Sequence, residues 1–139
     1  MGRVLAIDYG QKRVGLAVTD PLRISANALD TVMVQDLMHY LDAYLAKEQV
    51  DVFVIGKPTQ MDGSDSDSMQ FIQPFVVALK RRFPDKEIVM VDERFSSVMA
   101  HRTMRDAGLG KKARQDKALV DRISATIILQ TYLETNGRF

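Results

Sequence analysis

The 139-residue chain contains no cysteine. Disulfide bonds, thiolate metal sites and a cysteine nucleophile are thereby excluded, and a reducing compartment is permitted. Histidine is scarce as well. His39 and His101 are the only two, too few for a histidine metal cage. No apolar run approaches the ~20 residues of a membrane span, and Gly2-Arg3 leads directly into a strand pattern, unlike a signal peptide. The expectation is a cytoplasmic protein with no membrane contact. An excess of one charge is also lacking. The net charge is +1 and the pI about 8.0, below the ~9 that marks a dedicated nucleic-acid-binding domain. Charge is uneven only locally, where Arg102, Arg105, Lys111, Lys112, Arg114 and Lys117 crowd one stretch against Asp106 and Asp116.

What is present is an ordinary globular mixture, 46% hydrophobic and 27% charged, which excludes collagenous, coiled-coil and disordered classes. A chain of this length buries ~70% of its unfolded surface in one core. No repeat, linker or low-complexity segment divides it, so residues 1–139 are expected to form a single domain.

Val4-Leu5-Ala6-Ile7 is a continuous apolar run closed by Asp8, and Val14, Leu16 and Val18 alternate with smaller or polar residues after the turn Tyr9-Gly10-Gln11-Lys12. Together they predict a hairpin. A third strand is expected over Ala28 to Val34 and an amphipathic helix over Gln35 to Gln49, from the spacing of Leu37, Met38, Leu41, Tyr44 and Leu45. Val52 to Ile55 reads as an apolar strand, followed by a loop from Gly56 to Asp67. The next helix shows Met69, Ile72, Val76, Leu79 and Phe83 on one face, with Pro74 expected to kink it or delay its start. Ile88 to Val91 is a further strand. A helix from Ser96 or Ser97 to Gly108 and a last one from Lys117 to Thr135 complete the order. Five strands with an antiparallel start and alternating helices imply an α/β fold, a mixed sheet covered on both faces.

Three carboxylates stand out at the ends of these elements: Asp8, Glu93 just past the strand Ile88 to Val91, and Asp121 in the last helix. Each has an ordinary explanation. Asp8 could cap its turn through the Gly10 or Gln11 amide, Glu93 could pair with Arg94, and Asp121 could complement a helix N-terminus. A carboxylate closing a buried strand is nonetheless costly unless paired, hydrogen-bonded or metal-bound. With the first strand central, its end and the end of the last strand are expected side by side, with Ser124 and Ala125 small enough to let the final helix bring Asp121 over them. Three oxygen donors without histidine or cysteine describe a Mg²⁺ or Mn²⁺ site.

Asp8-Tyr9-Gly10 with Arg13 and Gly15, then Gly56-Lys57-Pro58, Met61-Asp62-Gly63, Asp92-Glu93-Arg94, and Val120-Asp121 with Ala125 form an ordered series across nearly the whole chain. The series resembles that of the YqgF family, described as pre-16S ribosomal RNA nucleases and as Holliday junction resolvase-like. Lys57 departs from the apolar residue more usual there. The resemblance implies an RNase H-like fold with a five-stranded sheet, and an acidic triad of Asp8, Glu93 and Asp121 as catalytic residues and metal ligands. It implies two ions ~3.5–4 Å apart that activate water and stabilise the leaving oxygen of a phosphodiester. Lys12, Arg13, Arg94 and Lys117 are then the substrate-contacting candidates, against the alternative of solvated or salt-bridged surface charge. Tyr9 and Phe95 flank the proposed site and are either base-stacking or core residues.

Three functions follow. The first is a metal-dependent endonuclease that processes the 5′ end of pre-16S ribosomal RNA, with structured RNA and pre-ribosomal particles as partners. The second is a resolvase-like nuclease on branched DNA, where resolving a symmetric junction normally requires two active sites in a dimer, so the chain is expected as a monomer or a homodimer. The third is a non-catalytic ribosome-assembly factor that binds nucleic acid. The Asp8-Tyr9-Gly10 turn also resembles the phosphate-binding turn of actin-like and sugar-kinase folds, but one lobe and no second glycine-rich loop argue against that class.

Overall fold

A computed structural model describes residues 2–57, 69–92 and 116–137. The chain opens with strand β1 (Arg3–Tyr9), whose turn at Gly10 leads into β2 (Arg13–Thr19). The Gly10 amide donates to the Arg13 carbonyl at 3.0 Å, and a Cβ on Gly10 would sit 2.6 Å from that oxygen. Only glycine closes the turn this tightly. The loop after β2 passes through Arg23 in the left-handed region, φ 59°, and is held by Asp20, which accepts the amides of Leu22, Ile24 and Ser25. Strand β3 (Ala26–Met33) starts earlier than expected, and a single 3-10 turn at Val34–Asp36 precedes helix α1 (Leu37–Lys47).

Strand β4 (Val50–Lys57) takes in Gly56 and Lys57, which the sequence had suggested for a loop. Helix α2 (Met69–Arg82) starts five residues before Pro74 and runs through it, so the expected delayed start is corrected. The helix tolerates the proline because it is on the exposed side, where its ring faces solvent and the released Gln70 carbonyl is open to water. Strand β5 (Glu87–Asp92) and helix α3 (Lys117–Tyr132) follow, the latter ending in a π turn over Leu133–Gly137. The predicted helix from Ser96 or Ser97 to Gly108 and the loop Met61-Asp62-Gly63 lie outside the described residues.

The strands form one mixed sheet in the order β3-β2-β1-β4-β5. β1 is central, antiparallel to β2 and parallel to β4, as expected of an α/β fold with the first strand in the middle. The expectation that β1 and the last strand end side by side is corrected, because β4 lies between β1 and β5. One residue beyond the Ile7–Ile55 pair, β4 contributes Gly56, which has no side chain of its own.

The sheet is covered on both faces. On one, Leu5, Ile7, Leu16, Phe53 and Ile55 pack with Leu37 and Leu41 of α1 and Met69, Ile72, Phe75 and Leu79 of α2. On the other, Val4, Ala6, Ala17, Val52 and Val54 pack under Ala125, Ile128, Leu129 and Tyr132 of α3. β2 is consequently buried on both sides. The alternation of Val14, Leu16 and Val18 with Gly15, Ala17 and Thr19 is one of size, since even Thr19 is fully buried with its hydroxyl accepting the Val4 amide at 2.9 Å.

Candidate active site

Strand alternation decides where Asp8 points. Val4 and Ala6 pack beneath α3, so Asp8, two residues further along β1, stands on the same face. The antiparallel registers pair Asp8 with Gly15 and Gly15 with Thr31, and residues directly opposite share a face. A transverse row of Thr31, Gly15 and Asp8 therefore crosses three strands.

The N-terminal turns of α3 come down on this row. Asp116 caps the helix by accepting the amides of Ala118 at 3.1 Å and Leu119 at 3.3 Å. The Thr31 hydroxyl donates to the Ala118 carbonyl at 2.7 Å. One turn further, the backbone of Asp121 rests on Gly15. A Cβ on that glycine would collide with the Asp121 carbonyl oxygen and lie 2.5 Å from its carbonyl carbon and 3.1 Å from its Cβ. Because paired Cβ positions are ~4.5–5.5 Å apart, the 3.1 Å separation bounds the Asp8 and Asp121 Cβ atoms to within about 9 Å of one another. Ser124 and Ala125, buried one turn later, let the helix approach this closely, as the sequence suggested.

Asp121 is held from the side as well. Arg13, two residues before Gly15 on the same face, donates its Nε to Asp121 Oδ2 at 2.8 Å. The side chains are 35% and 21% exposed, so this ion pair is only partly screened by water. Asp121 is the fifth residue of α3, and the capping role belongs to Asp116. Of the two amides that Asp8 could cap, that of Gly10 is given to the Arg13 carbonyl.

The other expected site residues divide. Lys12, in the hairpin turn, and Lys117, first residue of α3, are exposed. Glu93, Arg94 and Phe95 lie outside the described residues, Glu93 directly after the last residue of β5. Tyr9 belongs to the opposite face, stacked on Phe75 with ring centroids 4.3 Å apart, which makes it a core residue. Among the described residues no three His, Asp or Glu side chains converge. Asp8 and Asp121 supply two hard oxygen donors on one face, a donor set chemically suited to Mg²⁺ or Mn²⁺.

Two contributors escaped the sequence. Thr31 gives no local sign that its hydroxyl reaches a helix 87 residues away. Asp116, by contrast, precedes a helical pattern and could have been recognised as its cap.

No helix among the described residues is long and apolar enough to cross a membrane. Comparison with known proteins bears on the chain as a whole. A family model described as "RuvX: Holliday junction resolvase" matches residues 2–135. A Bacteroides thetaiotaomicron protein named "Putative pre-16S rRNA nuclease" is 57% identical over 135 residues, covering 97% of this chain and 98% of its own length. A Porphyromonas gingivalis protein of the same name is 54% identical over 138 residues, covering 99% of this chain and 100% of its own. Among solved structures, Thermus thermophilus RuvC in complex with a Holliday junction substrate superposes with a TM-score of 0.58 over 99% of this chain and 98% of that one. At 13% identity that likeness speaks for the fold alone, an RNase H-like one. With a family match over nearly its full length and relatives more than half identical to it, the chain belongs to the RuvX family, also known as YqgF.

Proposed function

We propose that this nuclease is a metal-dependent endonuclease that hydrolyses phosphodiester bonds at the 5′ end of pre-16S ribosomal RNA. The observation that carries the reading is the descent of Asp121 onto Gly15, directly across the strand pair from Asp8. Two carboxylates from distant parts of the chain are brought over one sheet end by backbone contact, an arrangement of like charges that a bound cation favours. Asp8, Asp121 and Glu93 would hold Mg²⁺ or Mn²⁺. Such an ion, when bound, supplies positive charge to the reacting phosphate and lowers the pKa of the attacking water.

The chain's own residues supply placement. Asp8 sits on the central strand, which is flanked by β2 and β4, and is paired with Gly15 of β2. Asp121 is fixed by its helix and by Arg13, whose Nε is one of five donors on a planar fork. The Nη groups of that fork are the part of Arg13 suited to a phosphate oxygen, and Lys12, Arg94 and Lys117 would hold the flanking backbone by charge. This assignment reads sequence only weakly, since phosphate contacts position a nucleic acid without reading its bases.

The test is cleavage of end-labelled precursor 16S RNA and of a four-way DNA junction, side by side, with Mg²⁺, with Mn²⁺ and with chelator. Wild type should cut the RNA only with metal, and Asp8→Asn should lose ~10³-fold or more of kcat, the equivalent of several kcal/mol of charge stabilisation. Preferential cutting of the junction would move the substrate to branched DNA, the activity named in the family's description. Equal activity of wild type and Asp8→Asn would remove catalysis from this site and favour a binding role.

A further inference from the structure

We propose that Gly15 and Thr31 are positioning residues of this nuclease, a notch and a latch that set the height of the α3 N-terminus and with it the separation of Asp121 from Asp8. The inference rests on the reading of Asp8 and Asp121 as partners in one metal site. Its own basis is the transverse row, in which Thr31, Gly15 and Asp8 are consecutive neighbours on the α3 face. The missing side chain of Gly15 is the space that the Asp121 backbone occupies. The Thr31 hydroxyl holds the same helix three residues earlier through the Ala118 carbonyl at 2.7 Å.

The rest of α3 makes the seat sensitive. Its C-terminal half is fixed in the core by Ala125, Ile128, Leu129 and Tyr132, all nearly or fully buried. A methyl group added at residue 15 therefore tilts the N-terminal turns away from the sheet, with the core contacts as the pivot. Relief of the collision with the carbonyl oxygen needs a movement of about 1 Å, a displacement large enough to cost ~10²-fold in rate when it falls on catalytic groups. A residue that merely packs would lower stability and leave the metal site as it was.

The experiment is a Mn²⁺ titration of the whole, metal-free protein, with free Mn²⁺ read by electron paramagnetic resonance, on wild type, Asp8→Asn, Gly15→Ala and Thr31→Val. Circular dichroism, thermal melting, and kcat and KM on the RNA accompany it. Asp8→Asn should abolish the high-affinity site. Gly15→Ala should weaken Mn²⁺ at least ~10-fold, as loss of supporting contacts around metal ligands does. Its kcat should fall ~10²-fold with KM within about threefold of wild type and an unchanged dichroism spectrum. Thr31→Val should weaken Mn²⁺ about 2- to 5-fold, the loss of one hydrogen bond.

Wild-type Mn²⁺ affinity in Gly15→Ala, with Asp8→Asn impaired, overturns the positioning inference and leaves the site reading intact. Wild-type affinity in Asp8→Asn overturns both. Should Gly15→Ala fail to fold, Thr31→Val decides: weaker Mn²⁺ binding supports the seat, and wild-type binding overturns it.

Discussion

The two faces of the sheet are made by the same strands and are built on opposite rules. Toward α1 and α2 the strands present Leu5, Ile7, Leu16, Phe53 and Ile55, all fully buried. Toward α3 the alternate positions of β1 and β2 carry Val4, Ala6, Asp8, Gly15, Ala17 and Thr19. Large side chains hold two helices off the sheet by a deep interlocking layer, each contributing ~1.5–3 kcal/mol by its burial. Small ones bring a helix backbone down to the strands. The difference separates two tasks, since the deep face carries stability and the shallow face fixes where two carboxylates stand. Both depend on β1 and β2, so the separation can be tested residue by residue.

The largest effect on stability should come from the deep face. Phe53→Ala removes a fully buried ring that also contacts Phe83 at a centroid distance of 5.5 Å. It should cost ~3–5 kcal/mol in urea unfolding, with kcat below the melting transition within about threefold of wild type. A parallel collapse of kcat in the folded variant would erase the distinction between the faces.

Ala17→Val is the counterpart on the shallow face, where Ala17 is fully buried under α3. Overpacking should cost only ~1–3 kcal/mol, yet kcat should fall by about tenfold because the helix carrying Asp121 must move. Kinetics unchanged from wild type would show that this face absorbs strain without reaching the site.

Smaller again is the helix cap. Asp116→Ala leaves the Ala118 and Leu119 amides without their carboxylate partner and should lower stability by ~1 kcal/mol, read as a shift of a few degrees in the melting temperature. Phosphate-ester cleavage should drop less than in Ala17→Val, since Thr31 still holds the same turn.

The smallest expected effect lies at the other end of the sheet. The Asp51 carboxyl is held below the usual carboxylate range by a hydrogen bond from the Gln49 side chain, then by the Gly2 amide, with Arg23 nearby. A group whose folded pKa is depressed contributes stability above its unfolded value and loses it as pH falls through the folded one. Wild type should therefore exceed Asp51→Asn in melting temperature near neutral pH, with the gap closing below about pH 4. Cleavage, measured near neutral pH with Mg²⁺ present, should be indifferent to this substitution.

Much of the architecture was legible in the residues. The apolar run ended by Asp8, the size alternation from Val14 to Val18 and the helical spacing from Leu37 to Leu45 each correspond to an observed element. The order of parallel strands was not, because it depends on which side each crossover takes, and β4 came to lie between β1 and β5. β3 was displaced by two residues at its start, where Ala26 and Asn27 carry no strong strand preference and pair only because Thr19 and Val18 are there to receive them. Its register also slips between Leu16 and Ala17, an irregularity no local pattern announces. Of the site, Asp8 and Asp121 were readable as carboxylates in unexpected places. That Arg13 would grip Asp121, rather than face solvent, followed only from the descent of α3.

The central claim is that Asp8 and Asp121 act as one unit on the shallow face, and a double-mutant cycle in kcat tests it most directly. Asp8→Asn, Asp121→Asn and the pair together are assayed on the same RNA with Mg²⁺. Residues that hold one site fail together, so the double variant should be about as slow as either single one, with all three folded. Losses that multiply, or a single variant with wild-type kcat, would contradict it.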